Sequence, residues 1–184
     1  MDANGRRLVV LDRDGVINRE SRDFIRSPEE WIPLPGSLDA IAELTRAGWL
    51  AVVATNQSGI ARGFFTAEEL QAIHRKMRSA VEAAGGRVDG IFVCPHGPDE
   101  GCDCRKPKPG LFRQVEAAFG ASLVGAPAVG DSLRDLQAAQ AVGARAILVR
   151  TGNGIETERR LATDAAIEVF DDLAAVSAAL LREQ

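Results

Sequence analysis

The amino-acid sequence predicts an α/β fold of three layers, with helices on both faces of a central parallel sheet. Short aliphatic runs recur along the chain, and helix-like segments lie between them. Strands and helices that alternate in this way build parallel sheets through right-handed crossovers. The 184 residues are enough to bury a substantial core, and no repeat or linker interrupts them, so we expect a single domain over residues 1–184.

Each predicted strand is a short aliphatic run, which is the composition of a buried strand. The five runs are Leu8 to Leu11, Leu50 to Ala54, Ile91 to Val93, Ala126 to Val129 and Ala146 to Val149. The tail from Glu168 to Leu181 is expected to add a last short strand and a helix.

Four helix-like segments separate these runs. The second has the clearest ends, because Thr66 precedes Glu69 at the spacing of a capping box and Gly85 follows the last turn. The fourth has the apolar spacing of a helix that packs on a sheet. The segments are Ser37 to Ala47, Thr66 to Ala84, Pro109 to Phe119 and Leu133 to Val142. This order of elements predicts a Rossmann-like layered architecture.

The composition argues against several classes of partner. The formal net charge is −4, which does not favour nucleic acid or an anionic membrane surface. No apolar stretch is long enough to span a bilayer, and the first residues lack the apolar region of a signal peptide. We therefore expect a cytoplasmic protein with no nucleic-acid and no membrane partner.

The strongest functional signal follows the first predicted strand. The run that ends at Leu11 is followed by two carboxylates, Asp12 and Asp14, and by a glycine that lets the backbone turn sharply. In open α/β sheets, ligands bind beyond the carboxyl ends of the strands. Two carboxylates in a small space favour a bound cation, and one could act as a covalent nucleophile in phosphoryl transfer. An ordinary polar turn is the alternative for these residues alone.

Further polar groups follow the other predicted strands. Thr55 to Ser58 offer hydroxyl, amide and main-chain groups suited to phosphate oxygens, and Asp131 and Asp135 follow the fourth strand. A cationic turn at Arg105 and Lys106 precedes the third helix. Each group has an ordinary alternative as a cap, a turn or a solvated charge. Their joint arrival at one sheet edge favours a site for a metal ion and a phosphoryl group.

A second strong signal is a cluster of metal-ligand residues in the loop 94–104. The three cysteines of the chain and one of its two histidines lie there, namely Cys94, His96, Cys102 and Cys104. Three thiolates and one imidazole make a complete tetrahedral zinc set, so we expect a structural zinc that holds the neighbouring Lys106 in place. Disulfide pairing is an alternative, against which the odd cysteine count and the missing secretion signal argue, and free thiols are another.

Taken together, these motifs resemble those of the haloacid dehalogenase-superfamily phosphatases. They occur in the family's order and span positions 12–135. The matching segments are Asp12 to Val16, the strand ending in Thr55, Lys106 with Pro107, and Gly130 with Asp131 and Asp135. The resemblance implies a haloacid dehalogenase-like fold, and no segment is long enough for a large cap domain.

The resemblance also implies the chemistry at the sheet edge. Asp12 would be the nucleophile that forms an aspartyl-phosphate, and Asp14 would be the general acid and base. Asp12, the main-chain carbonyl of Asp14, and Asp131 would hold Mg²⁺.

Two more motif residues would act on the transferring phosphoryl group. Thr55 and Lys106 would bind its oxygens, where charge develops during transfer. For Asp135 the interpretations stay open: contact with the metal through water, orientation of Lys106, or a favourable charge at a helix start.

The zinc loop narrows the resemblance to a capless subgroup with two enzyme families. One removes the 7-phosphate of D-glycero-D-manno-heptose 1,7-bisphosphate, and the other consists of histidinol-phosphate phosphatases. Thr55 to Gly63 and Ser27 to Ile32 resemble the heptose family, whereas the short spacing between His96 and Cys102 is typical of the histidinol family. We expect the heptose reaction, on the route to ADP-heptose and lipopolysaccharide, with histidinol phosphate as the alternative substrate.

Substrate recognition is expected to fall to the loops. By resemblance, the residues in contact with a small phosphorylated sugar are Glu20, Ser21, Arg22, Asp23, Thr55, Asn56, Gln57, Ser58, Arg105 and Lys106. Arg105 would bind the second phosphate of a bisphosphate. We expect a monomer. A zinc-stabilised phosphate-binding protein without turnover is the alternative of another class, and the intact pair Asp12 and Asp14 argues against it.

Overall fold

Six parallel strands form the central sheet of the computed structural model, which describes residues 1–2, 5–161 and 167–183. The strands are β1 (Leu8–Leu11), β2 (Leu50–Asn56), β3 (Gly90–Cys94), β4 (Pro127–Gly130), β5 (Arg145–Val149) and β6 (Glu168–Phe170). Their order across the sheet is β3-β2-β1-β4-β5-β6. The crossovers change direction at β1, which lies between β2 and β4, and such a point marks the ligand-binding crevice of an open α/β sheet.

Helices cover both faces of this sheet. They are α1 (Ser37–Arg46), α2 (Ala67–Ala83), α3 (Gly110–Phe119), α4 (Leu133–Gln140), α5 (Gly154–Glu158) and α6 (Leu173–Arg182). The capping box predicted for α2 is present, because the Thr66 hydroxyl accepts from the Glu69 N–H at 3.1 Å and the Glu69 carboxylate accepts from the Thr66 N–H at 2.6 Å. The short α5 was not predicted, since five mostly polar residues are too few for a periodic pattern.

Alternate residues of β1 face opposite layers. Val9 and Leu11 belong to the core under α1, α2 and α6, whereas Leu8 and Val10 belong to the core under α3 and α4. All four are buried. The strand is therefore apolar on both faces, as a central parallel strand must be. This arrangement confirms the predicted three-layer α/β fold.

The observed bounds of the predicted elements differ from the expected ones by at most two residues. Helix α4 ends at Gln140 and not at Val142, and β2 continues past the predicted Ala54, because Thr55 and Asn56 still pair with β3. Thr55 therefore lies within the end of the strand and not after it. The short strand and helix expected in the tail are present as β6 and α6. Among the described residues, no helix combines the length and the apolar character that a membrane span requires.

Candidate functional site

The predicted acids meet at the carboxyl edge of the sheet, between its two central strands. The Asp12 N–H donates to the Val129 carbonyl at 2.9 Å, which continues the pairing of β1 with β4. Asp12 and Asp131 consequently leave the sheet side by side, although 118 residues separate them. The polar side chains lie where the crossovers change direction.

Lys106 is buried between two of these carboxylates. Its Nζ lies 2.9 Å from Asp12 Oδ1 and 2.6 Å from Asp135 Oδ1, and it donates to the Ala54 carbonyl at 2.8 Å. Burial opposes its charge, but the two carboxylates outweigh burial and raise the pKa of Lys106 above its ordinary value. The lysine is therefore a permanent cation at the sheet edge.

Asp135 connects this cation to the start of α4. One carboxylate oxygen accepts from Lys106, and the other accepts from the Ser132 N–H at 3.0 Å and the Ser132 hydroxyl at 2.5 Å. Burial would raise the pKa of Asp135, but Lys106 and Ser132 lower it below its ordinary value. Asp135 therefore contacts Lys106 and caps α4 through Ser132. The contact with Lys106 supports one of the interpretations that the sequence left open, the orientation of Lys106.

The carboxylates of Asp12, Asp131 and Asp135 form a set that fits a hard divalent cation. One oxygen from each lies within 4.8 Å of the others. Burial, together with the neighbouring carboxylates, raises the pKa of Asp12 to about 7 although Lys106 opposes it; burial followed by Asp135 raises the pKa of Asp131 to about 7. A bound cation would keep both ionised, and oxygen ligands of this kind suit Mg²⁺.

The Asp131 carboxylate occupies a space that only glycine leaves open. A Cβ at Gly15, whose φ is +79°, would lie 2.1 Å from Asp131 Oδ2. The same oxygen accepts from the Asn153 main-chain N–H at 2.7 Å and from its Nδ2 at 3.1 Å. The sequence analysis did not identify Asn153. Its position just after β5, at the same edge of the sheet, was the available signal.

Asp14 is held by a buried network of donors. Arg13, which is 1% exposed, binds both Asp14 oxygens with Nη2 at 2.9 Å. Asn18 and Gln57 each donate to Asp14 at 2.8 Å. Burial opposes ionisation, but Arg13 and these hydrogen bonds outweigh it and lower the pKa of Asp14. The sequence analysis did not identify this role of Arg13 in binding Asp14, because a charged residue between two acids is typical of an exposed turn.

A histidine on α2 also belongs to this network, through its contact with Arg13. His74 on α2 is buried, and its Nε2 lies 3.3 Å from Arg13 Nη1. Burial, and then the charge of Arg13, lower the pKa of His74 to about 3. The imidazole is therefore neutral at ordinary pH and accepts a hydrogen bond from Arg13.

The end of β2 connects the network to the cationic turn. The Thr55 hydroxyl accepts from Gln57 Nε2 at 2.9 Å. The Asn56 side chain forms a pair of hydrogen bonds, both 3.1 Å long, with the main-chain N–H and carbonyl of Lys106. Thr55 and Lys106 are thus brought to the same place from different parts of the chain.

A polar cavity of about 260 Å³ opens above these residues. Nine of the ten residues predicted to contact substrate line it, and Asp23 does not. The cavity is also lined by residues for which no site role was predicted, among them Phe24, Ile25, Arg62 and Arg134. The cavity thus has carboxylates and Lys106 at its base and mixed charges around its mouth.

The four predicted zinc ligands form a compact cluster beside this cavity. The Cys94 and Cys102 sulfur atoms are 3.7 Å apart, and those of Cys102 and Cys104 are 3.6 Å apart. The Nδ1 atom of His96 lies 3.7 Å from the Cys94 sulfur and 3.2 Å from that of Cys104. Sulfur ligands around a tetrahedral zinc, with Zn–S bonds of about 2.3 Å, would be about 3.8 Å apart. The donor set therefore fits zinc.

The cluster is connected to the cationic turn through Arg105. Arg105 Nη1 donates to the His96 carbonyl at 3.2 Å, and Arg105 lines the cavity. Burial raises the pKa of Cys94 to about 12, so a thiolate there would need a cation beside it. A metal held by this loop would keep Arg105 at the mouth of the cavity.

Two family models match the chain. One, described as polynucleotide kinase 3 phosphatase, matches residues 8–132, and the other, described as HAD-hydrolase-like, matches residues 103–176. Together with the layered fold and the acids at the sheet edge, these matches define the class: a haloacid dehalogenase-like phosphatase.

Two relatives extend the comparison to nearly the whole chain. The D-glycero-β-D-manno-heptose-1,7-bisphosphate 7-phosphatase of Bordetella bronchiseptica is 55% identical over 96% of this chain and 99% of that protein. The enzyme of the same name from Pseudomonas aeruginosa is 52% identical, with the same coverage of 96% and 99%. The crystal structure of the B. bronchiseptica enzyme, complexed with magnesium and phosphate, matches with a TM-score of 0.94 over 97% of this chain and 99% of that chain. The chain belongs to the family of these heptose-bisphosphate phosphatases, which confirms the resemblance drawn from its motifs.

Proposed function

We propose that this protein is a Mg²⁺-dependent phosphatase that removes the 7-phosphate of D-glycero-D-manno-heptose 1,7-bisphosphate. The observation that carries the proposal is the buried cluster in which Asp12 faces Lys106 at 2.9 Å and shares a carboxylate set with Asp131. The 55% identity to the B. bronchiseptica enzyme supports the substrate. The product would serve the synthesis of ADP-heptose and lipopolysaccharide, and we place the reaction in the cytoplasm.

In the first step, Asp12 attacks the phosphorus of the ester. A carboxylate oxygen of Asp12 forms a bond to phosphorus while the bond to the sugar oxygen breaks, which gives an aspartyl-phosphate and a free hydroxyl group. Asp14 supplies the proton that the leaving oxygen takes. The negative charge of the bound ester raises the pKa of Asp14, which Arg13 keeps low in the free protein.

In the second step, water replaces the aspartate. Asp14, now ionised, takes a proton from the water as its oxygen attacks phosphorus, and the bond to Asp12 breaks to release phosphate. Lys106 and the Thr55 hydroxyl bind the equatorial oxygens, on which charge accumulates during transfer. Arg13, Asn18 and Gln57 keep Asp14 aimed at the cavity through both steps.

Mg²⁺ would be held by the Asp12 and Asp131 carboxylates and the Asp14 main-chain carbonyl. When bound, it supplies positive charge to the phosphoryl oxygens and keeps the carboxylates ionised. The two Asn153 donors orient Asp131 for this role, because they leave its other oxygen free.

The distal part of the substrate would lie at the mouth of the cavity. Glu20, Ser21 and Arg22 would contact the sugar, and Arg105 would bind the phosphate that is not transferred. The cavity lining, which includes all four residues, supports these roles. Zinc in the loop 94–104 would keep Arg105 in position without taking part in the reaction. Residues 1–184 would act as one domain and as a monomer.

The test is phosphate release from a panel of esters, with and without Mg²⁺. The panel contains the heptose bisphosphate as both anomers, histidinol phosphate and p-nitrophenyl phosphate. We expect the bisphosphate to have the highest kcat/KM and Mg²⁺ to be required. Asp12→Asn should lower the rate by roughly 10⁴-fold or more, the scale on which loss of a nucleophile acts. Asp171→Asn is the matched control, since it makes the same change at an exposed ion pair.

Two outcomes would contradict the proposal. A preference for histidinol phosphate would assign the protein to the alternative substrate. Tight phosphate binding without turnover of any ester, with Asp12→Asn unchanged, would assign it to a phosphate-binding protein.

A further inference from the structure

Three phenylalanine rings meet beside the mouth of the cavity and connect two of its loops. The Phe24 ring lies 4.9 Å from the Phe64 ring and 6.5 Å from the Phe65 ring, centroid to centroid. We call Phe24, Phe64 and Phe65 the aromatic clasp. Phe24 belongs to the loop that follows β1, whereas the other two precede α2. The clasp therefore joins segments that the sheet does not hold together.

Two arginines stack on this clasp. The guanidinium carbon of Arg62 lies 5.9 Å from the centre of the Phe24 ring, and that of Arg26 lies 5.4 Å from the centre of the Phe64 ring. Each arginine comes from the segment opposite to the ring on which it stacks. Cation–π contacts of this kind reinforce the connection between the two loops.

The backbone at Phe24 is strained. Its φ is +65°, and no other non-glycine residue in the described ranges has a positive φ. A bulky residue adopts this conformation only when its surroundings hold it there, and such residues concentrate at ligand sites. Here the ring packing holds it, and Phe24 lines the cavity. The strain is thus located where the loop meets the substrate space.

The other half of the clasp is anchored close to the sheet edge. A Cβ at Gly59 would lie 2.1 Å from the Phe65 ring, so this ring packs directly on the backbone next to Ser58. Phe65 is 4% exposed and Phe64 is 46% exposed. Phe65 is therefore the buried member of the clasp, packed on the loop that follows β2. Phe64 is the more exposed member, and Phe24 packs against it.

We propose that the aromatic clasp is a specificity element for extended phosphate esters, with Phe24 as its positioning residue. It holds Glu20, Ser21 and Arg22 over the cavity, where they would contact the part of the substrate remote from the reacting phosphate. This inference rests on the proposed function, because it concerns how that site selects among esters. The loop 20–23 is anchored at its two sides by the hydrogen bond from the Arg19 N–H to the Ile32 carbonyl and by the buried Ile25. Between these anchors, Glu20 accepts a hydrogen bond from Asn153, and the clasp is the further contact, at Phe24.

The catalytic edge does not depend on the clasp. Asp12, Asp14 and Lys106 are held by contacts from the sheet and from other polar residues, and none of these is a clasp residue. The polar residues are Arg13, Asn18, Asn56, Gln57 and Asp135. A small ester such as p-nitrophenyl phosphate needs only this edge. A sugar bisphosphate needs the edge and the loop 20–23. Loss of the clasp should therefore separate the two substrates.

The experiment compares kcat/KM for the heptose bisphosphate and for p-nitrophenyl phosphate in three variants. Phe24→Gly removes the ring and relieves the backbone strain, since glycine accepts a positive φ without steric cost. Phe64→Ala removes the opposing ring at a residue of ordinary backbone conformation. Phe24→Tyr keeps the ring and serves as the conservative rescue.

We expect Phe24→Gly and Phe64→Ala to lower kcat/KM for the bisphosphate by roughly 30-fold, mostly through KM, and to change that for p-nitrophenyl phosphate by about twofold at most. Phe24→Tyr should stay within about threefold of the wild type on both substrates. Melting temperatures, measured alongside, identify any variant that is destabilised, and Phe64→Ala tests the clasp if Phe24→Gly folds poorly.

Equal losses on both substrates would overturn the inference, because the clasp would then support the catalytic edge. Unchanged values on both would overturn it as well, since the clasp would then only stabilise the fold. Failure of the proposed function is a separate result: the wild type would prefer another ester of the panel. In that case, kcat/KM for the preferred ester and for p-nitrophenyl phosphate, compared across the same three variants, would still test the clasp.

Discussion

The two metal-ligand clusters of this protein lie next to each other but are built in opposite ways. The carboxylate cluster combines Asp12 after β1, Asp131 after β4 and Asp135 in α4, so its members come together only when the sheet forms. The four predicted zinc ligands are Cys94, the last residue of β3, and three residues of the segment that follows it, so all four lie within residues 94–104. One cluster depends on tertiary structure and the other on local spacing, and Lys106 lies at the junction between them.

The two clusters also differ in how the charges of their side chains are compensated. In the carboxylate cluster, acids and a lysine are buried in contact, so the removal of one group leaves its partner uncompensated. In the zinc loop the ligands converge on one position, so the group that would compensate them is an ion that can be added or withdrawn. Removal of a charged group from the carboxylate cluster and removal of the ion from the zinc loop should therefore change activity and stability in different ways.

The largest effect is expected from Lys106→Met. Loss of this cation leaves Asp12 and Asp135 without their ion-pair partner and removes the proposed donor to the transferring phosphoryl group. We therefore expect activity to fall by roughly 10²–10³-fold. Stability should fall by about 3–5 kcal/mol, the cost of breaking a buried ion pair from one side. Steady-state phosphate release and urea unfolding measure the two effects.

Lys108→Met is the matched control for this change. Lys108 is half-exposed and donates to the Cys102 carbonyl and Asp103 in the zinc loop, not to the sheet-edge carboxylates. It should keep near-normal activity. A Lys106→Met protein within tenfold of the wild type would show that the buried ion pair is structural and would remove the chemical contrast between the clusters.

A smaller effect is expected from zinc removal. Cys104→Ser should abolish stoichiometric zinc and lower the unfolding free energy by about 3–4 kcal/mol, which is the stabilisation from a ligand at 100 to 1,000 times its Kd. Activity toward a bisphosphate should fall more than that toward a small ester, because Arg105 loses its anchor at His96. Metal analysis and thermal unfolding, with excess Mg²⁺ present throughout, measure this.

The chelator response separates metal loss from loop damage. Chelation should lower the melting temperature of the wild type and of Lys108→Met, and leave Cys104→Ser unaffected. A wild type that holds no zinc as purified and whose melting temperature ignores both zinc and chelator would contradict the zinc assignment.

The smallest expected effect concerns the pH dependence of stability through His74, the histidine that contacts Arg13. The other histidine, His96, belongs to the predicted zinc cluster. His74 is buried under Arg13 with a pKa of about 3, below the value of about 6.5 for an unfolded chain. The unfolded chain therefore binds more protons below pH 6.5, and stability is lost as the pH falls toward 3. Between pH 7 and 5 the loss from His74 is about 2 kcal/mol.

His74→Gln should remove this acid sensitivity, because glutamine keeps an acceptor for Arg13 and does not titrate. Urea unfolding at pH 7 and pH 5 should show a smaller drop in stability for the variant than for the wild type. Parallel drops in the two proteins would mean that His74 does not resist protonation and that the Arg13 network is more open than the contacts indicate.

Much of the fold could be predicted because its signals are local. Aliphatic runs marked the strands and the Thr66 capping box marked the start of α2, so the layers and the order of elements followed. The parts of the fold that could not be predicted are those without a local signal in the sequence. Helix α5 is too short for a periodic pattern, and the end of β2 depends on its pairing with β3.

The candidate site shows the same division. The five residues predicted for the chemistry could be selected because each follows a predicted strand or precedes a predicted helix. They are Asp12, Asp14, Thr55, Lys106 and Asp131. Arg13, His74 and Asn153 could not, since their roles depend on neighbours far away in the chain. Asp23, expected among the substrate contacts, does not line the cavity, whereas its neighbours Arg22 and Phe24 do.

The sequence by itself determined which chemical groups this protein has, the layers that carry them and the four clustered residues that could hold zinc, because strand composition, capping and ligand spacing are properties of neighbouring residues. Only the tertiary structure decided which charges are compensated: that Lys106 lies between Asp12 and Asp135, that Arg13 holds Asp14, and that the rings of two loops meet at Phe24. The physical reason is that burial and ion pairing depend on distance in space, which sequence separation does not specify.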